Sequence, residues 1–438
     1  MPCQRRPILP FSSPAKSSSV MIGLVAVLFM SGTLMAEEPR SAHHPVGASV
    51  EEFLALAKKM NLERAAASLE ADAAAARAHG AGALPDPMFQ FTLDDISKNN
   101  NGLPERAAVV KYSLQQKLPW WGKRELQRGM AEAESREAMG KLAEVEAEIV
   151  LRIKTAYADY HRVHLSMDQT ADLIQVMRTL VQFAQFRYAQ GMSLQLEPTS
   201  AEAERGALEV EQIRLGKERS RIRSRLNLLV NRKPDAPVVE HPQLRSLPPP
   251  ASLDYAKLLE RAKTNNPALT MARARTVATK QDHLLAEKEW YPDINLGFGL
   301  VQRRDPMTEN GFEAMMEFNI PIQWQTRTAK ERETEAKFKT AQEQLNYGQL
   351  RIDSALQETL LSLEEAREVA RVTTETLVPQ ARIGLQSALK GYQTGTAESV
   401  AVLDAIQRLK KFQIDLVKAQ FDAQVRLAEL ERLIGGDL

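Results

Sequence analysis

The sequence predicts a mainly α-helical chain with a transmembrane β portion, built from two copies of one helix–strand–strand–helix unit. Three observations lead there. Marker motifs recur in one order at nearly one displacement. Pro85-Asp86 returns as Pro292-Asp293 after 207 residues, Pro119 with Trp120 and Trp121 as Pro321 with Trp324 after 202, and Tyr188-Ala-Gln-Gly191 as Tyr392-Gln-Thr-Gly395 after 204; an internal duplication of this kind governs the whole architecture. Each copy carries two segments of about ten residues in which apolar and polar side chains alternate. Each also carries a helical pattern far longer than a globular helix usually runs.

The elements follow in order. Arg5, Arg6 and Lys16 precede an apolar run from Val20 to Met30, so residues 1–36 read as a signal peptide cleaved after Ala36. Residues 37–49 are polar and expected to be flexible. A first repeat spans 50–232. In it, Val50 to His79 predicts one helix rich in Ala, Leu and Glu, ended by Gly80, Gly82 and Pro85. Strands are expected at about 88–95 and 107–117, around a polar loop from Ser97 to Gly102. Phe89, Phe91 and Leu93 share one face against Gln90, Thr92 and Asp94; Val110, Tyr112 and Leu114 oppose Lys111, Ser113 and Gln115. From Lys123 to Tyr188 nothing breaks the helical pattern. Ile149, Ile153, Ala156, Tyr160, Val163, Met167, Thr170, Ile174, Met177, Val181 and Ala184 step by four and three, a heptad-like stripe, and at ~1.5 Å per residue the helix is roughly 100 Å long. A return helix is expected from about Ser193 to Asn231.

Residues 233–252, with Pro248-Pro249-Pro250, form a connecting segment. The second repeat, 253–435, predicts strands at about 293–302 and 312–320. Leu296, Phe298, Leu300, Phe312, Ala314, Met316 and Phe318 take one face; Asn295, Gly297, Glu313, Glu317 and Asn319 take the other. Its long helix carries Ile352, Leu356, Thr359, Leu363, Ala366, Ala370, Thr373 and Leu377, and Pro379 is expected to kink it. A second return helix is expected from Thr396 to Ile434.

Charge and cysteine content narrow the class. The formal charge is +1; without Arg5, Arg6 and Lys16 it is 54 basic against 56 acidic residues, which makes no case for nucleic acid. Cys3, inside the signal segment, is the only cysteine, so no disulfide is expected after cleavage. The cysteine that a bacterial acyl anchor requires at the first mature position is missing too, so lipidation is not expected. No later stretch approaches the ~18 apolar residues of a membrane-spanning helix.

Four strands cannot close a barrel, since about eight is the smallest number that fills its own interior, and lipid tolerates no open edges. Strands that span a membrane here therefore require several chains; three would supply twelve. Phe89, Phe91, Phe298, Phe312 and Phe318 are the expected lipid-facing residues, and Glu313 and Glu317 would be solvated in a lumen. Trp120, Trp121, Trp290 and Trp324, with Tyr291, all fall at strand–helix junctions, where amphipathic rings gather at a membrane–water boundary; aromatics capping the ends of an ordinary sheet would look the same. Gly191 and Gly395 suit the left-handed backbone of a helix reversal.

Asn266-Pro267-Ala268-Leu269, Tyr291-Pro292-Asp293-Ile294, Val378-Pro379-Gln380-Ala381, Gly391-Tyr392-Gln393-Thr394-Gly395 and Val402-Leu403-Asp404-Ala405 occur in this order. On these residues the chain resembles the TolC family of outer-membrane efflux channels from about residue 50 to 435. Pro85-Asp86-Pro87 and Gln116-Lys117-Leu118-Pro119-Trp120-Trp121-Gly122-Lys123 are similar to the branch serving heavy-metal resistance, copper/silver or cobalt/zinc/cadmium. The resemblance implies a homotrimer with a twelve-stranded outer-membrane barrel and a periplasmic α-helical barrel. It implies a periplasmic adaptor and an inner-membrane pump of the resistance-nodulation-division type as partners. It implies that Tyr188, Gly191, Tyr392 and Gly395 mark the periplasmic tip that docks the adaptor. It also implies that Asp404 lies near the pore constriction; Ala401 replaces a second acidic position there, for which Glu197 of the first repeat would substitute.

No catalytic, cofactor or tight metal site is expected. His161 and His164, at i and i+3, lack a third ligand in the pattern; His43-His44 falls in the N-terminal stretch, and the methionines form no Met-x-x-Met run. Gly122-Lys123 is not a phosphate loop, because Lys117 stands where its first glycine belongs. The competing readings are a soluble periplasmic coiled-coil adaptor, a periplasmic enzyme on a helical scaffold, and a duct for drugs rather than metals.

Overall fold

A computed structural model of the chain describes residues 46–96, 107–240, 242–304 and 307–438. The signal segment, residues 37–45 and the loops at 97–106 and Asp305-Pro306 lie outside the described residues. The first repeat runs α1 (Val50–Met60), α2 (Leu62–Gly80), β1 (Met88–Ile96), β2 (Ala107–Leu118), α3 (Lys123–Ala189) and α4 (Leu196–Leu229). The second runs α5 (Tyr255–Asn265), α6 (Pro267–Lys288), β3 (Ile294–Arg303), β4 (Gly311–Phe318), α7 (Trp324–Val372), a π turn (Thr373–Leu377), α8 (Val378–Thr394) and α9 (Ser399–Ile434).

The region expected as one helix over 50–79 is two, broken at Asn61. The Asn61 carboxamide accepts from Arg64 N at 2.9 Å, capping α2, and donates to Leu229 O at 2.8 Å, holding the end of α4. Asn266 repeats this: it accepts from Leu269 N at 3.2 Å and donates to Leu433 O at 2.9 Å, at the end of α9. A cap of this kind is worth ~1 kcal/mol, and the carbonyls it serves are otherwise orphaned helix ends. In the second copy Pro267 advertises the break; in the first, Leu62 hides it.

Residues 46–49, expected to be loose, are tied down. Val46 bridges Val238 of the connecting segment, Gly47 N donates to Glu52 at 2.8 Å, and the Tyr157 hydroxyl donates to Ala48 O at 3.0 Å. Below Pro379 the helix does not simply bend. It widens into the π turn, where Val378 N donates to Thr373 O, five residues back instead of four.

The periodic stripes are buried, in three clusters. Phe53, Ile149, Ile153, Tyr157, Ile222 and Leu226 form the first-repeat core. Leu258, Leu269, Leu356, Leu363, Leu427 and Leu430 form its counterpart. Leu180, Leu208, Leu385, Tyr392 and Ile406 join the two helical hairpins. One cluster of charge is buried with them: Lys154 donates to Glu431 at 2.8 Å, and Arg245 holds Glu431 at 2.9 Å. This ties α3, the connecting segment and the last turn of α9 together. Among the described residues no helix is long and apolar enough to cross a membrane.

The four strands form one antiparallel sheet in the order β1-β2-β3-β4. Phe91 pairs with Tyr112, Tyr112 with Leu300 and Leu300 with Phe312 across all four strands, so every expected apolar face is the same face.

Candidate functional sites

The sheet is inside out by the standard of a water-soluble protein. Its apolar face is the exposed one: Phe312 is 76% exposed, Phe89 69% and Phe298 60%, with Phe91, Leu114, Met316 and Phe318 beside them. The five phenylalanines singled out from the sequence all lie here. Phe298 stacks on Phe312 at 5.9 Å, and Phe91 leans on Tyr112 at 5.3 Å.

The opposite face is polar and largely covered; Gln115 is only 8% exposed. A hydrogen-bonded belt crosses it. Asn295 on β3 donates to Glu317 on β4 at 3.0 Å and to Gln115 on β2 at 3.2 Å, and Gln115 donates to Gln90 on β1. Nearer the strand ends that lead into the loops, Lys111 lies 3.0 Å from Asp94 and 3.7 Å from Glu313. Gly297 and Gly299 keep this face thin: a Cβ on Gly299 would stand 3.0 Å from the Ser113 Cβ. Burying about 25 cal/mol of transfer free energy per Å² of apolar surface drives folding in water; this sheet spends its apolar side outward, which is stable only against an apolar solvent or partner.

At the strand–helix junction the aromatics form two groups. Trp120 stacks on Tyr291 at 5.3 Å and meets Trp121 edge-on at 4.9 Å; Trp290 meets Trp324 edge-on at 6.5 Å. Beneath the first group lies a contact that the sequence reading missed. Lys123, at the start of α3, donates to Asp293 at 2.7 Å and to Tyr291 O at 3.0 Å, while Trp120 N donates to the same carboxylate at 3.0 Å. Burial by itself raises the Asp293 carboxyl, but the Lys123 hydrogen bond, the Trp120 N–H and the charges of Lys123 and Lys117 outweigh it and hold the group below the usual aspartate range. The available signal was Pro292-Asp293 itself, an acid set beside a junction whose other side carries Lys117 and Lys123.

At the far end of the helices lie two turns. Gly191 and Gly395 both have left-handed backbone, φ +65° and +77°, and each turn closes alike: Met192 N donates to Arg187 O and Thr396 N to Gly391 O, both at 2.9 Å. The structure separates the two tyrosines. Tyr188 is 46% exposed, whereas Tyr392 is 1% exposed. The Tyr392 hydroxyl donates to Glu197 at 2.9 Å, its ring lies under the Arg187 guanidinium at 4.8 Å, and its carbonyl accepts from Arg187. Burial, then the Glu197 carboxylate, pushes the Tyr392 hydroxyl up to about 12, so it remains a donor at neutral pH. Tyr392 is therefore a clasp between the α3–α4 and α8–α9 hairpins, with its ring buried. Beside Tyr188 on the first turn, Met192, Leu194 and Leu196 are also well exposed; the sequence reading did not name them. Asp404 is paired too: Arg408 lies 2.8 Å from it across one helical turn.

His161 and His164 lie on α3, inside the helical part. Burial pushes His161 down, and the His164 ring meets Tyr160 edge-on at 4.6 Å. Among the described residues no three His, Cys, Asp or Glu side chains converge as a metal-holding group.

Residues 258–436 match the family described as Outer membrane efflux protein. No curated protein sequence matches the chain significantly. Among solved structures it is similar to the outer membrane protein VceC of Vibrio cholerae, with TM-score 0.77 and 21% identity over 89% of this chain and 97% of that one. It is similar to the outer-membrane channel OprN, with TM-score 0.77 and 17% identity over 88% and 90%. It is also similar to CusC, a transmembrane channel, with TM-score 0.75 and 17% identity over 90% and 96%. The fold is thus that of the TolC-like outer membrane channels: mainly helical, with a small four-stranded sheet.

Proposed function

We propose that the chain is one protomer of an outer-membrane efflux duct, in which three copies close a twelve-stranded barrel above a periplasmic helical tunnel. The observation that carries this reading is the inverted sheet, with its exposed phenylalanine face, its hydrogen-bonded polar face and its two unpaired edges. Lipid solvates the first, water in a lumen the second, and neighbouring copies the third. The family match of residues 258–436 supports the same reading. The soluble-adaptor alternative leaves the apolar face in water.

The duct supplies no energy. A pump of the resistance-nodulation-division type drives transport, and a periplasmic adaptor joins the pump to the tip, with Tyr188, Gly191, Met192, Leu194, Leu196 and Gly395 as its docking surface. Asp404, paired with Arg408, and Glu197, hydrogen-bonded by the Tyr392 hydroxyl, contribute to the constriction. The cargo in this reading is heavy-metal cations, supported by the similarity of Pro85-Asp86-Pro87 and Gln116 to Lys123 to the metal-resistance branch. Passage without a tight site suits a conduit, which must release what enters it.

The test is reconstitution. Protein extracted from membranes with detergent is expected to insert into planar bilayers and conduct; a chain that stays in solution without detergent and never conducts overturns the duct. The cargo is tested separately by growth of a deletion strain on copper, silver, zinc and cobalt salts and on an antibiotic panel. Sensitivity to antibiotics alone replaces metal with drugs and leaves the duct intact.

A further inference from the structure

The two repeats share more than motifs; they share a strand register. Moving first strands forward by 207 and second strands by 202, the displacements of their flanking Pro-Asp and Pro motifs, converts every β1·β2 pair from Met88↔Gln115 to Asp94↔Val109 into a β3·β4 pair. Met88↔Gln115 becomes Asn295↔Glu317, Phe91↔Tyr112 becomes Phe298↔Ala314, and Thr92↔Lys111 becomes Gly299↔Glu313, all of which are observed pairs. The sheet thus repeats one hairpin, and β2·β3 is the junction between a first-repeat and a second-repeat hairpin. The chain contains that junction once. Its counterpart, β4 against β1, cannot form within one sheet of order β1-β2-β3-β4.

In the proposed duct β4 of one copy meets β1 of the next; we propose that this seam takes the register carried over from β2·β3, and that the polar belt runs on across it. The inference rests on the duct reading and adds to it the residue pairs. Tyr112↔Leu300, Ser113↔Gly299, Leu114↔Phe298 and Gln115↔Gly297 become Ala314 with Leu93 of the partner subunit, Met315 with Thr92 of the partner subunit, Met316 with Phe91 of the partner subunit, and Glu317 with Gln90 of the partner subunit.

Two features not used in the derivation agree with it. Apolar residues meet apolar residues on the outer face; a one-residue slip would set Met316 against a glutamine or threonine and turn every side chain to the wrong side. The belt also ends correctly. Asn295 donates to Gln115 and Gln115 to Gln90, which leaves the Gln90 amide, 3.3 Å from the Thr92 hydroxyl, as the donor at the β1 edge. Glu317, an acceptor carboxylate, is the belt member at the β4 edge. The carried-over register sets that donor opposite that acceptor. One belt per chain, Gln90–Gln115–Asn295–Glu317, then closes into a ring around the lumen. The third lumen pair, Glu313 with Asp94 of the partner subunit, sets two acids together, and each acid already has Lys111 of its own chain within 4 Å.

The test is disulfide trapping in the full chain, whose one native cysteine is Cys3. The pair Thr92→Cys with Met315→Cys is the choice, because its intrachain equivalent, Ser113 with Gly299, brings Cβ positions to 3.0 Å, near the ~3.5–4.5 Å that a disulfide spans. Oxidation in membranes is expected to give covalent dimers and trimers that collapse to monomer on reduction. The slipped pairs Thr92→Cys with Glu313→Cys and Thr92→Cys with Glu317→Cys are expected to give little. A second in-register pair, Gln90→Cys with Glu317→Cys, guards against a local misfolding effect. If reducing native gels show an assembled oligomer but a slipped pair cross-links in place of the in-register ones, the register is overturned and the duct stands. If every variant and the native chain remain monomeric in bilayer-forming lipid, both fall.

Discussion

Two side chains show how single residues carry long-range order. Asp293 is 19% exposed and Lys123 8% at their side chains, and together they pin the start of β3 to the start of α3. Removing one member of a pair this buried leaves the other uncompensated, which costs about 3–5 kcal/mol. Asp293→Ala is therefore expected to lower the denaturant midpoint of the detergent-solubilised protein far more than Asp86→Ala, its exposed counterpart. The pH dependence has a definite sign. Because the folded carboxyl lies below the usual range, its contribution is complete above about pH 4 and is lost as pH falls through the lowered folded value; the acid limb of stability should flatten in Asp293→Ala. At the tip, Tyr392→Phe removes the donor to Glu197, a charged hydrogen bond worth about 1.5–3 kcal/mol. Looser hairpins should then raise single-channel conductance, and unchanged conductance would deny the clasp a gating role.

At the scale of elements, the sheet's two faces make opposite demands. Phe298→Arg places a charge on the apolar face and is expected to cost ~2–4 kcal/mol near a bilayer midplane, read as loss of heat-resistant oligomer on gels. Ser113→Lys, on the polar face of the neighbouring strand, should assemble normally; equal damage from both would contradict the two-faced register. Asn295 and Asn319 look like equally tolerant lumen positions in sequence. The structure gives both a hydrogen-bonding role, Asn295 in the belt and Asn319 as acceptor for Asp293 N, so substitutions there test the belt and the junction instead. Asp404 and Arg408 belong to one turn of α9 and act as a pair. Asp404→Ala should reduce cation preference in bilayers and Arg408→Ala should raise it, since each unmasks the other's charge; no change in reversal potential for either would remove this turn from the constriction.

For the whole molecule, the duplication explains the economy of the design. One hairpin register, one Asn-capped helix break and one glycine turn are each used twice, and the two uses differ at particular residues. Tyr188 is exposed where Tyr392 is buried, and Gln90 ends the belt where Gly297 thins it. The sheet leaves two edges unpaired and its apolar face exposed. In the proposed duct, the folded protomer and the assembled barrel are therefore energetically one object.

The sequence by itself determined the duplication, the two alternating hairpins, the long helices and the turns between them. Periods of two and of three-to-four residues, and glycines that need positive φ, are local properties, legible wherever the chain is read. Phe89, Phe91, Phe298, Phe312 and Phe318 could be assigned a common face because alternation along each strand leaves only the register open. Only the tertiary structure decided what depends on residues far apart in the chain. The helix break at Asn61 needs Leu229, the buried cation at Lys123 needs Asp293, and the burial of Tyr392 needs Arg187 and Glu197. Each is a polar group whose partner lies well over a hundred residues away. A lone asparagine, lysine or tyrosine carries no local sign of which distant atom will satisfy it, so these contacts emerge only when packing brings distant segments together.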